Sequence, residues 1–298
     1  MANILYPPSR PQSVGEILDS AFRIFGATLL KCLPYAALAV IAGQLPTLYD
    51  LSHGRPLLGA VMAQRTQLLS QHLHDPLWWI LYAVAILGTM TLTNAVMLRQ
   101  YALATGRAAN ASAELTTGLR KIPGTLLIWI LLGLAVAGCM LPAGIIGGVA
   151  AASAGAPQAV VAFTLFVLLA LIPASWLFVR WSCSVTVYLL LDRTALDSLT
   201  HSWRLTAGNF WRLSLIYTVG LVLLLVLYGL SSVLGGVMAL VLARGDVAVI
   251  TAATTVVVVL LGAVATPFYW ALALAVLGDL SVRREGTDLA QRLSAPAT

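Results

Sequence analysis

Long charge-free stretches alternate along this chain with short segments where Lys, Arg, Asp and Glu collect. A helix needs about 20 mostly apolar residues to cross a bilayer. Six stretches meet that length, at about 28–48, 77–98, 124–151, 158–179, 212–243 and 247–278. Lys31, near the start of the first, can snorkel its ammonium toward the headgroups. The 58 residues between Lys121 and Arg180 carry no charge. As one helix they would measure roughly 87 Å at 1.5 Å per residue, so the segment must fold back. The turn is placed at Ala152-Ser153-Ala154-Gly155-Ala156-Pro157, which is rich in small residues and turn formers. Arg244-Gly245-Asp246 supplies the next hydrated turn. The pattern predicts an all-α polytopic membrane protein, with six transmembrane helices in a single integral domain over residues 1–298 and a cytoplasmic tail from 279.

A second periodicity overlies the first. Val14, Ile17, Leu18, Ala21 and Phe22 recur at helical spacing opposite Glu16, Asp19, Ser20 and Arg23, which predicts an amphipathic interfacial helix over 13–26. The segments 22–29, 119–126 and 203–210 share a bulky apolar residue, an Arg, a glycine region and a small polar residue entering an odd-numbered span. They suggest an interfacial helix plus a helical hairpin, repeated three times. The simpler alternative is that any loop feeding a basic-flanked span looks this way. Pro173-Ala174-Ser175-Trp176 and Pro267-Phe268-Tyr269-Trp270 mark the fourth and sixth spans. Proline can kink such helices. Both spans run longer than a bilayer requires, so they tilt or their ends protrude onto the interfacial helices; protrusion is the expectation. Between spans one and two, Leu57, Leu58, Val61, Met62, Leu68 and Leu69 predict a short amphipathic helix on the outer surface.

Composition removes the soluble alternatives. The chain is 60% hydrophobic and 9% charged, with a mean hydropathy of +0.92, against about 25% charged residues in soluble domains. With six spans, 14 of the 17 basic residues fall on the side of the termini. The acidic residues divide 8 to 3 the same way, so the whole net charge of +6 lies on that side. The positive-inside rule then predicts both termini in the cytoplasm. No basic run interleaved with aromatics points to nucleic acid. No cleavage signature follows the first apolar stretch, so that span is expected to act as its own insertion signal.

Candidate chemistry is sparse. No Asp or Glu lies within the spans as assigned, which argues against an ion-coupled transporter. Thr91 and Asn94, about one turn apart in span two, form either a polar intramembrane groove or an interhelical hydrogen-bonding pair. His53, His72 and His74 make an incomplete ligand set for zinc. Cys32, Cys139 and Cys183 lie in apolar segments at no metal-binding spacing. Gly144 and Gly148 fit a Gly-x-x-x-Gly contact, internal or between copies. No nucleophile elbow, P-loop or metalloprotease motif is present. No catalytic residue, metal or cofactor is therefore expected.

The basic residues at the span entrances carry the functional expectation. Arg23, Lys31, Arg120, Arg204 and Arg212 are placed to meet anionic lipid headgroups. Three further segments read together: Arg10-Pro11-Gln12-Ser13-Val14-Gly15-Glu16-Ile17-Leu18-Asp19 with Ala21-Phe22-Arg23, Ser202-Trp203-Arg204-Leu205-Thr206 with Asn209-Phe210-Trp211-Arg212, and Asp279-Leu280-Ser281-Val282-Arg283-Arg284-Glu285-Gly286-Thr287-Asp288-Leu289. This set resembles the bacterial glycerophosphoryl diester phosphodiesterase membrane-domain family. The resemblance implies a multi-helix membrane module, sometimes fused to a phosphodiesterase and often standing alone without an assigned activity. No part of this sequence reads as the hydrolase, so the enzyme name is not implied. The expectation is a non-enzymatic bacterial inner-membrane protein that interacts with lipid or acts as a scaffold, with a homo-oligomer or protein partner left open. The alternative is a transporter or export component for a lipophilic or small solute.

Overall fold

The computed structural model describes residues 4–53, 72–153, 156–242 and 247–286, and no strand occurs among them. The helices are α1 (Val14–Gly43), α2 (Leu45–Ser52), α3 (Pro76–Ala104), α4 (Ala111–Arg120), α5 (Ile122–Ser153), α6 (Ala156–Trp181), α7 (Ser184–Leu190), α8 (Ala195–Thr206), α9 (Phe210–Leu242) and α10 (Val247–Glu285). Among the described residues six segments are long and apolar enough to cross a membrane: Val14–Gly43, Pro76–Ala104, Ile122–Val149, Phe163–Leu190, Phe210–Leu230 and Thr255–Glu285. This is an all-α, multi-pass membrane protein, and each expected span has its counterpart. The expected outer-surface helix around 57–69, the turn at 244–246, the centre of the turn at 154–155 and the tail beyond 286 lie outside the described residues.

Local chemistry explains where the helices stop. Asp75 caps α3 by accepting from the Trp78 N–H at 3.3 Å, and Asn110 caps α4 by accepting from Ser112 and Ala113 at 3.1 and 3.3 Å. Thr194 caps α8 through the Asp197 N–H at 3.2 Å. Each satisfies donors that a helix start otherwise leaves unpaired. Lys121 separates α4 from α5, and Pro123 stands in the first turn of α5, where its missing N–H is tolerated but could not have continued a helix from α4. Between α8 and α9, Gly208 takes φ +73°, a left-handed turn open to glycine.

The first of the three similar segments lacks such a break. Residues 13–26 do not form a separate interfacial helix; they are the opening half of α1, which runs without interruption to Gly43. Gly26 costs such a helix only about 1 kcal/mol, too little to end it. α1 then stops ahead of Pro46, so the first span closes at Gly43 rather than 48. Of the three similar segments, 119–126 and 203–210 are broken by a turn and 22–29 is continuous helix.

The chain forms two compact units. One comprises the described residues up to Pro7 together with Gly15–Ile122 and Tyr217–Ala275. Here α1 buries a single stripe, with Ile17, Ala21, Ile24, Thr28, Cys32, Ala36 and Ala39 each at most 1% exposed. Phe268 of α10 sits against Phe22 and Phe25 at ring-centre distances of 5.3 and 5.7 Å. α4 lies on α3 at Gly118, whose carbonyl accepts from Asn94 Nδ2 at 3.2 Å. A Cβ at Gly118 would stand 2.7 Å from the Thr91 carbonyl oxygen, a backbone atom that cannot swing aside. Gly118→Ala is accordingly expected to destabilise the protein by about 1–3 kcal/mol, the usual cost of overpacking. A thermal melt in detergent reads this, and an unchanged midpoint would refute the tight α3–α4 approach.

At the Asp50 end of the same unit, His72 Nε2 lies 2.9 Å from Asp50 Oδ1, and Trp78 Nε1 donates to Asp50 Oδ2 at 3.3 Å. The Trp78 ring stacks on His72 and Tyr82. His53 Nδ1 lies 2.9 Å from the Tyr49 carbonyl. The histidines thus serve local hydrogen bonds, and no group of three metal-ligating side chains occurs among the described residues.

The second unit comprises Pro8–Val14, Pro123–Ile216 and the chain from Val276 on. Helix α6 breaks after Trp181, and α7 leads on to α8. In each unit the end of a long helix meets a shorter one. In the first unit Arg99 near the end of α3 meets Glu114 of α4. In the second, the Arg180 carbonyl of α6 accepts from Ser202 and Thr206 of α8 at 2.9 and 3.2 Å. There too, Glu285 at the end of α10 stands 3.2 Å from His201 of α8.

Candidate functional site

The arginines at the span entrances and helix ends differ in their partners. Arg99, Arg212 and Arg283 are bound to carboxylates. Arg23, Arg120 and Arg204, one in each of the three similar segments, are exposed and have no carboxylate partner among the described residues. Arg23 donates only to the Ser20 hydroxyl one turn back, at 3.3 Å. Lys31 is also exposed, and its backbone carbonyl accepts from Arg99 Nη1 at 3.1 Å.

Arg212 departs from the sequence expectation. It does not face a headgroup. Its Nη1 donates to Asp279 Oδ2 at 2.7 Å, and its Nη2 donates to the Gln12 carbonyl. Arg283 donates through Nε to both oxygens of the same carboxylate, at 3.0 and 3.2 Å, and through Nη2 to the Gln12 carbonyl at 2.6 Å. The Gln12 N–H completes the set by donating to Asp279 Oδ1 at 2.7 Å. Asp279 is wholly buried. A buried carboxylate persists only when its lone pairs are matched by cations and N–H donors, and here three donor groups supply them through four hydrogen bonds.

Gln12, Arg212 and Asp279–Arg283 come from three stretches far apart in the chain. They fall within the segments 10–23, 202–212 and 279–289 singled out in the sequence. Read linearly, Asp279 only marks the end of span six. The available signal was the Asp279/Arg283 pair at i, i+4, with Arg212 as an unpaired cation at the head of span five.

The polar pair of span two is explained within the first unit. Thr91 Oγ1 donates to the Leu87 carbonyl of its own helix at 2.7 Å, and Asn94 bonds Gly118. Asn94 and Gly118 are buried where α4 covers α3, so Asn94 joins the two helices while Thr91 bonds within its own. The Arg99–Glu114 pair is the contact that sequence reading missed. Arg99 Nε donates to Glu114 Oε2 at 2.8 Å, and its guanidinium lies 4.4 Å from the Tyr35 ring centre.

A concavity with chemical character lies in the second unit, beside Arg204. It is a groove of about 620 Å³, lined by Leu131 of α5, Trp181 of α6 and Leu196, Leu199, Thr200, Trp203 and Arg204 of α8. Amphipathic α8 turns Ser198, Leu199, Ser202, Leu205 and Thr206 inward and leaves Leu196, Thr200 and Arg204 exposed. Trp203 is fixed in place: its ring meets Trp176 edge-on at 5.0 Å, and the Arg180 guanidinium lies 5.1 Å from its centre and 5.3 Å from that of Trp176. A cation over an indole face is attracted to the ring quadrupole. His201, one turn from Arg204, has its pKa lowered from the usual histidine value, chiefly by burial and further by Arg193 and Arg204, with Glu285 opposing. The cationic character of this corner therefore comes from Arg180 and Arg204. A greasy trough with two indoles, a hydroxyl and an exposed guanidinium at its edge suits an amphiphile. No family model, curated protein or solved structure matches this chain.

Proposed function

We propose that this chain is a non-catalytic bacterial inner-membrane protein, with both termini cytoplasmic, that holds anionic lipid through its interfacial segments. The observation that carries the reading is the fate of the arginines. Those at 99, 212 and 283 are bonded to carboxylates, whereas Arg23, Arg120 and Arg204 recur at equivalent places and remain exposed with no carboxylate partner among the described residues. Arginine beside an amphipathic surface at the acyl boundary attracts anionic headgroups. The excess of basic residues on the side of the termini supports a cytoplasmic assignment for that face. The resemblance to the glycerophosphoryl diester phosphodiesterase membrane domain agrees with a module that works without a hydrolase.

The test is the triple variant Arg23→Gln, Arg120→Gln, Arg204→Gln. None of the three takes part in the Asp279 knot or the Arg99–Glu114 pair, so the fold should persist. At about 1 kcal/mol per arginine near an anionic surface, retention of anionic lipid should weaken on the order of a hundredfold. Native mass spectrometry of the detergent-extracted protein reads bound lipid directly, and retention equal to that of the parent would remove the proposal.

A further inference from the structure

Resting on that reading, we infer that the groove between α8 and the facing residues Leu131 and Trp181 is a discrete binding site for one anionic phospholipid, with acyl chain in the trough and phosphate on Arg204. Three observations point to this occupant. The trough, at about 620 Å³, falls within the range of small-molecule sites, and its lining is mainly leucine and tryptophan. The indoles of Trp181 and Trp203 belong to the layer where such rings settle in a bilayer, at the boundary of acyl chain and headgroup. At that boundary the membrane itself supplies the ligand.

Charge decides the headgroup. Arg204 is exposed on the rim, with no carboxylate partner among the described residues. Arg180 is held behind it by two indoles, with its Nη1 on the Trp203 carbonyl at 3.5 Å. Thr200 adds a hydroxyl on the same rim. This arrangement offers positive charge and hydrogen-bond donors to a phosphodiester and favours a headgroup with no compensating ammonium. The groove also differs from a general basic surface because it is built: Ser202 and Thr206 bond the Arg180 carbonyl, pinning α8 to the end of α6.

The full chain, reconstituted in nanodiscs of equal parts phosphatidylglycerol and phosphatidylcholine, is compared by native mass spectrometry with two variants. Leu196→Trp with Thr200→Trp fills the trough from exposed positions, and Arg204→Gln removes the headgroup contact. The parent should hold one phosphatidylglycerol that the filled variant lacks, and Arg204→Gln should lower selectivity over phosphatidylcholine about tenfold. A parent-like thermal melt establishes that the variants are folded. If the filled variant keeps the parent's lipid while the triple arginine variant loses it, the groove is not the site and the broader reading stands. A groove lipid held without headgroup preference, or a peptide or second copy retained in place of lipid, overturns the inference. A parent with no preference for phosphatidylglycerol overturns both.

Discussion

Asp279→Ala is expected to be the most damaging single substitution in this protein. The carboxylate is wholly buried and receives hydrogen bonds from Arg212, Arg283 and the Gln12 N–H. Its removal leaves two guanidiniums and an amide that had been matched to a negative charge. Breaking a buried ion pair from one side costs about 3–5 kcal/mol, because the surviving charge is left without compensation. Asp279→Asn keeps an acceptor of nearly the same shape but loses the charge, and should fall between parent and alanine. The midpoint of thermal unfolding in detergent, followed by circular dichroism, measures the order. Equal midpoints for all three proteins would show that the knot contributes nothing to stability.

A loss of similar size is expected for Arg99→Met. Glu114 is 7% exposed, and its Oε2 takes the Arg99 Nε at 2.8 Å. Arg99 also holds the Lys31 carbonyl and lies over Tyr35. Without it, α4 carries a buried carboxylate with no cation, again at a cost of about 3–5 kcal/mol. The informative partner is the double variant Arg99→Met, Glu114→Leu, which removes both charges. Because an apolar pair can replace a buried ion pair at little cost, the double variant should recover most of the lost stability. A double-mutant cycle reads the coupling. A double variant no better than Arg99→Met alone would place the importance of Arg99 in its Lys31 and Tyr35 contacts.

These two ion pairs bound what a linear reading could reach. The sequence places Arg99 at the end of one apolar stretch and Glu114 in the loop beyond, and each looks like an ordinary hydrated charge. α4 folds back so that Asn94 meets Gly118, and that fold makes the pair mutually buried. Arg212 is a sharper case. Its position at the entrance of a span is the same as that of Arg23 or Arg204, so span position alone assigns all three to headgroups. Only the return of residue 279 to its side separates it from them. The groove was equally out of reach, since Leu131, Trp181 and Trp203 lie on three helices whose adjacency no periodicity records.

What the sequence by itself determined is the membrane-spanning plan of six apolar lengths. Hydrocarbon excludes charge over a fixed thickness, so this plan is written in the spacing of charges along one dimension. The separate helices α4 and α8 were anticipated only through the likeness of the segments 22–29, 119–126 and 203–210. The tertiary structure alone decided which charges are internal ties and which remain exposed. It also decided that 13–26 continues into the first span. A charge takes its role from the partner that reaches it, and those partners lie from 4 residues away, for Arg283 and Asp279, to 267, for Gln12 and Asp279.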